Sequence, residues 1–69
     1  MTFPLRLRRL RTDHGLTQTE LAKRIGISRD TLSRYELGKL DPGSADICRV
    51  ADYFGVSTDY LLGRSDRRQ

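Results

Sequence analysis

The chain has 69 residues, 36% hydrophobic and 32% charged, and 13 Lys and Arg against 9 Asp and Glu leave a formal net charge of +4. One cysteine, Cys48, and one histidine, His14, exclude an internal disulfide and a four-ligand zinc site, and point to a reducing compartment. Arg6, Arg8, Arg9 and Arg11 break up the start of the chain before a signal-peptide core forms, and no apolar run nears the roughly 18 residues of a membrane span.

These constraints imply one small cytoplasmic domain with no metal and no cofactor. The charge is uneven, with nine basic and four acidic residues over 1–40, then four basic and five acidic over 41–69. A basic half joined to a near-neutral half suggests one face for a polyanion and another for a different contact.

The punctuation is helical throughout. Pro4 suits a first turn, with Thr2 or Phe3 just outside it; Leu7 and Leu10 share a face, and Gly15 follows His14 as a stop. This predicts a first helix over 4–14, with His14 serving the free carbonyls at its end. Thr17 and Glu20 have the spacing of a capping box, opening a second helix over 18–25 that buries Leu21, Ala22 and Ile25. Gly26 breaks it, and Ser28 caps a third helix to about Glu36, with Leu32 and Tyr35 inward and Gly38 at its end.

Lys39 to Gly43 reads as a turn, after which Ser44 is expected to cap a fourth helix. There Ile47, Val50, Ala51 and Phe54 form a buried stripe at i, i+3, i+4 and i+7, with Cys48 packed beside it. Gly55 stops that helix, and Ser57 caps a short fifth one containing Tyr60, Leu61 and Leu62. Nothing alternates like a strand. The expected architecture is an all-α, compact five-helix bundle, with the domain over 1–63 and a frayed polar tail over 64–69.

Two short helices joined by a tight turn at Gly26 must cross steeply, as in a helix-turn-helix unit. The second of them is apolar on one side, while Arg29, Asp30, Ser33 and Arg34 occupy the other. A thin, polar, partly basic helix of this kind fits the major groove of duplex DNA.

The runs Leu16-Thr17-Gln18-Thr19-Glu20-Leu21-Ala22, Gly26-Ile27-Ser28-Arg29 and Tyr35-Glu36-Leu37-Gly38-Lys39 resemble the phage repressor/Cro-type (XRE-like) helix-turn-helix family. The later Val56-Ser57-Thr58-Asp59-Tyr60-Leu61-Leu62 matches the usual end of that domain, so the resemblance covers about residues 3–63. It implies a lambda-repressor-like fold and sequence-specific binding of double-stranded DNA, with the third helix reading base edges. Repression in a bacterium, phage or mobile element is the expected role, and activation fits the same residues.

Carried onto this sequence, the resemblance places DNA phosphate contacts at Thr17, Gln18, Ser28 and Lys39, and base contacts at Arg29, Asp30, Thr31, Ser33 and Arg34. Arg29 can pair with guanine or neutralise a phosphate; Asp30 can accept from cytosine or hold Arg34 at i, i+4. The Thr31 methyl can touch a thymine. The resemblance also implies an ion pair of Glu36 with Arg11, and the physical argument agrees, because an unpaired acid beside phosphates would repel them. Arg6, Arg8 and Arg9 read as solvated surface or as diffuse attraction to DNA.

One recognition helix touches few base pairs, so a homodimer on a palindromic operator is expected, weak in solution and completed on DNA. Its candidate surface is Tyr53, Val56, Thr58, Tyr60 and Leu61. The chain stops soon after Leu62, which implies no attached sensing domain. An enzyme is not expected: no nucleophile with a base and orienting group, no phosphate-binding glycine loop and no metal cluster is present, and no small-molecule ligand is implied. The rival reading is an antitoxin or adaptor whose main partner is a protein; a membrane-surface role for the first helix is weakened by Pro4 and by the need to bury Leu7 and Leu10.

Overall fold

Left-handed glycines and extended N-caps, three of them serine or threonine, divide the chain into five helices in a computed structural model that describes residues 2–68. They are α1 (Thr2–Asp13), α2 (Gln18–Ile25), α3 (Arg29–Leu37), α4 (Ser44–Phe54) and α5 (Thr58–Leu61). No strand occurs among the described residues.

The capping box forms as spelled: the Thr17 hydroxyl accepts from the Glu20 backbone N–H at 3.1 Å, and the Glu20 carboxylate accepts from the Thr17 N–H at 2.9 Å. That second bond favours the charged carboxylate and holds the Glu20 pKa below its ordinary value. Gly26 then takes φ +75°, a conformation that costs an L side chain about 1–2 kcal/mol, and the Ile27 N–H closes back on the Ala22 carbonyl at 3.0 Å. Ser28 follows in extended geometry and caps α3 by accepting from the Thr31 N–H. The turn between α2 and α3 is therefore set by three consecutive residues.

The core is one cluster. Phe3, Leu7 and Leu10 of α1 meet Leu21, Ala22 and Ile25 of α2, Leu32 and Tyr35 of α3, Val50 and Ala51 of α4, and Tyr60 and Leu61 of α5. Leu7, Leu10, Leu21, Leu32, Val50 and Leu61 are wholly enclosed. At about 1.5–3 kcal/mol for each buried aliphatic side chain, this shared centre supplies what four-residue α5 lacks in local stability.

Several expectations are corrected. α1 begins at Thr2, not Pro4, because proline is tolerated anywhere in a first turn whose N–H groups lack helical acceptors; Phe3 is thus inside the helix and buried, edge-on to Tyr35. The N-cap of α4 is Gly43, in extended geometry with no side-chain bond, and Ser44 is already helical, one residue too late to cap. Only Val50 and Ala51 of the α4 stripe are fully buried, with Ile47 and Phe54 half-buried at its ends. Cys48 is exposed, since one step past Ile47 turns it about 100° away from that stripe. Leu62 lies beyond α5 and is 46% exposed.

The described part of the tail is tied down (Gln69 lies outside the described residues). Arg6 donates to the carbonyls of Tyr60 and Ser65 and pairs with Asp66 at 3.1 Å, its guanidinium lying 4.2 Å from the Tyr60 ring centroid. Arg68 pairs with Asp13 at 3.1 Å, and its carbonyl accepts from the Ser57 N–H. Arg6 is therefore a structural residue rather than solvated surface.

Candidate nucleic-acid interface

The centre of the site is a buried charge pair rather than a surface one. Glu36, near the end of α3, has a side chain 4% exposed, and it takes the Arg11 guanidinium side-on, with Nε at 2.7 Å from one oxygen and Nη2 at 3.0 Å from the other. The remaining Arg11 donor, Nη1, reaches the Leu16 carbonyl at 2.9 Å, in the loop before α2. Gln18, the first residue of α2, donates its side-chain amide to Glu36 at 3.2 Å. One carboxylate thus joins α1, α2 and α3, and its charge is neutralised within the protein. Sequence reasoning paired Glu36 with Arg11; it missed Gln18 as the third member, which only the crossing of α2 and α3 brings within reach.

α3 is held from behind by Leu32 and Tyr35, both buried, and by the Tyr35 hydroxyl donating to Asp46 of α4. Burial and that acidic partner push the Tyr35 pKa up to about 12, so the phenol stays neutral and the hydrogen bond persists at physiological pH. The opposite side of α3 faces outward. Arg29, Asp30 and Arg34 are exposed, and their side chains form no hydrogen bond or ion pair among the described residues. In particular, Asp30 does not hold Arg34, so both keep their hydrogen-bonding capacity.

The other candidates divide. Ser28 accepts from the Thr31 backbone and donates to the Thr31 hydroxyl at 2.8 Å, so both side chains are engaged in the cap; Thr31 is half-buried. Thr17 is exposed with its hydroxyl in the capping box. Ser33 is half-buried in a groove shared with Arg8 and Gln18. Lys39 is exposed just past α3, and its backbone N–H closes on the Arg34 carbonyl at 2.9 Å. His14 Nδ1 lies 2.9 Å from the Leu10 carbonyl, at the end of α1.

The surface expected for a second copy is largely displaced. Tyr60 and Leu61 are 6% and 0% exposed because α5 turns them into the core, which removes both from any docking face. Val56 and Tyr53 are half-buried against the core, Tyr53 with its hydroxyl accepting from Arg24 at 3.1 Å; of the five, Thr58 alone is exposed. The large apolar side chains left exposed are instead Leu5, Leu37, Leu40 and Leu62. Among the described residues, no group of three or more His, Cys, Asp or Glu could hold a metal ion, and no helix is long and apolar enough to cross a membrane.

Comparison with known proteins agrees with this geometry. A Helix-turn-helix family model matches residues 7–61. The SPbeta prophage-derived HTH-type transcriptional regulator YonR of Bacillus subtilis is 38% identical over 60 residues, covering 87% of this chain and 56% of that protein. The HTH-type transcriptional regulator MJ0272 of Methanocaldococcus jannaschii is 41% identical over 57 residues, covering 83% of this chain and 86% of that protein. The chain spans about half the length of the first of these relatives. Among solved structures, the DNA-binding domain of the P22 C2 repressor matches with a TM-score of 0.82 and 26% identity, covering 90% of this chain and 82% of that one. With the five helices in the repressor arrangement and the matched region running from α1 to α5, the chain belongs to the helix-turn-helix family of the phage repressor/Cro (XRE-like) type.

Proposed function

We propose that this chain is a sequence-specific double-stranded DNA-binding transcriptional regulator, a repressor, that inserts α3 into the major groove. The observation that carries the reading is the division of α3. Its inner side is anchored by Leu32, Tyr35 and the neutralised Glu36, while Arg29, Asp30 and Arg34 stand exposed and unpaired toward solvent. A helix so divided offers a rigid row of donors and acceptors at the width the major groove admits. Arg29 and Arg34 supply the charge and bidentate donors, and Asp30 can accept from a cytosine amine. Gln18 and Lys39, at the start of α2 and just past α3, are the flanking phosphate contacts; Thr17, whose N–H is held by Glu20, contributes through its hydroxyl proton, and Ser28, whose hydroxyl donates to Thr31, through its backbone N–H.

Discrimination against a genome of competing sites requires more base pairs than one α3 spans, which favours a homodimer on a palindromic operator in the cytoplasm, half-sites about one helical turn apart. Selection of bound sites from random duplex DNA at two salt concentrations tests the whole reading. The expected result is a palindromic consensus whose affinity falls steeply with salt. Failure to enrich any sequence would overturn it, and sedimentation showing a monomer both free and on the operator would remove the dimer.

A further inference from the structure

We propose that the groove between α1, α2 and α3 seats one DNA backbone phosphate and that Arg8 supplies its charge, making α1 a third element of the interface. This rests on the reading that α3 enters duplex DNA. The groove is lined by Arg8, Arg11, Gln18, Ser33, Glu36 and Leu37, and encloses about 180 Å³. That is below the roughly 300–1,000 Å³ of a small-molecule site, yet it leaves room for a single tetrahedral anion.

The charges within the groove decide its sign. Arg11 and Glu36 cancel in their side-on pair, and both are largely withdrawn from solvent. Arg8 lies one turn earlier on the same face of α1, is exposed, and makes no hydrogen bond or ion pair among the described residues. It is therefore the unbalanced cation at the groove mouth. Gln18 adds a neutral donor whose amide is already oriented by Glu36, and Ser33 adds a hydroxyl. The arginines beside it differ: Arg6 is committed to Tyr60, Ser65 and Asp66, and Arg9 is exposed but does not border the groove. Of Arg6, Arg8 and Arg9, only Arg8 borders this groove beside α2 and α3; the hollow that all three line lies along α1 and holds no residue of the helix-turn-helix unit.

The test compares Arg8→Ala, Arg8→Lys and Arg9→Ala in the full chain, on the selected operator duplex and on a non-operator duplex of equal length. Arg8→Ala is expected to weaken both duplexes by the same factor and to reduce the slope of log K against log salt by about 0.9, the loss of one neutralised phosphate. Arg8→Lys should retain the slope, and Arg9→Ala should leave it unchanged. Phosphate-ethylation interference should lose one position in Arg8→Ala only. Equal effects of Arg8→Ala and Arg9→Ala, or a loss confined to the operator, would overturn the proposal while leaving DNA binding intact. A wild-type chain that binds neither duplex would overturn the functional reading itself.

Discussion

Glu36 shows how one residue can serve the fold and the interface at once. Its negative charge is offset by Arg11 on both carboxylate oxygens, and the oxygen that takes Arg11 Nη2 also accepts from Gln18. Removing one partner of so enclosed a pair leaves the other desolvated, a loss on the order of 3 kcal/mol. Glu36→Ala is therefore expected to lower the melting temperature by ten degrees or more, at roughly 4–8 °C per kcal/mol for a domain of this size. Arg29→Ala, an exposed and unpaired site, should barely move it while weakening operator binding more. Thermal melts and binding isotherms of the two variants decide between these roles, and the reverse ranking would reject them.

Tyr35 gives a pH signature at the same scale. Its folded pKa of about 12 lies above the ordinary 10.0, so the neutral, hydrogen-bonded phenol contributes stability that is complete below pH 10. That contribution is lost as pH rises through about 12. Wild type should lose stability across this window more steeply than Tyr35→Phe, which has no proton to release; parallel curves in alkaline melts would contradict the assignment.

At the scale of elements, the caps separate what a residue type permits from what a position uses. Thr17 caps α2 with both halves of the box in place, whereas Ser44 begins α4 behind Gly43 and caps nothing. Thr17→Ala should therefore cost about 1 kcal/mol and Ser44→Ala no more than about 0.5, measured by denaturant unfolding. The box and the left-handed Gly26 were legible because their chemistry is local, complete within four residues. The start of α1 was not: a proline marks a first turn without saying which residue of that turn it occupies, and Phe3 is drawn into the helix by its burial against Tyr35.

Across the whole molecule, the two ends of the chain hold each other. Arg6 joins the first turns of α1 to the end of α5 and to Ser65, and Arg68 returns to Asp13. Gly63 belongs to the same closure, since at φ +80° a Cβ there would stand 2.8 Å from the Thr2 hydroxyl. Arg6→Met should retain the aliphatic packing while losing the charged hydrogen bonds, at a cost of about 2 kcal/mol. Hydrogen exchange at the Ser57 amide, which donates to Arg68, should accelerate more than exchange at core amides of α2. Uniform acceleration would mean that the tail is not separately anchored.

Local chemistry settled much by itself: periodicity placed the inner faces of α2 and α3, glycines and hydroxyl caps placed their junction, and the order of motifs identified the family. Those signals are complete within a few neighbouring residues, so a linear reading captures them. What folding alone decided involves partners far apart in the chain, such as Gln18 on Glu36, Tyr35 on Asp46, Arg6 on Tyr60, and the inward turn of Tyr60 and Leu61. An arginine written as R carries the same charge wherever it stands; whether it binds the tail, neutralises a buried acid or stays exposed and unpaired depends on which helix packs beside it.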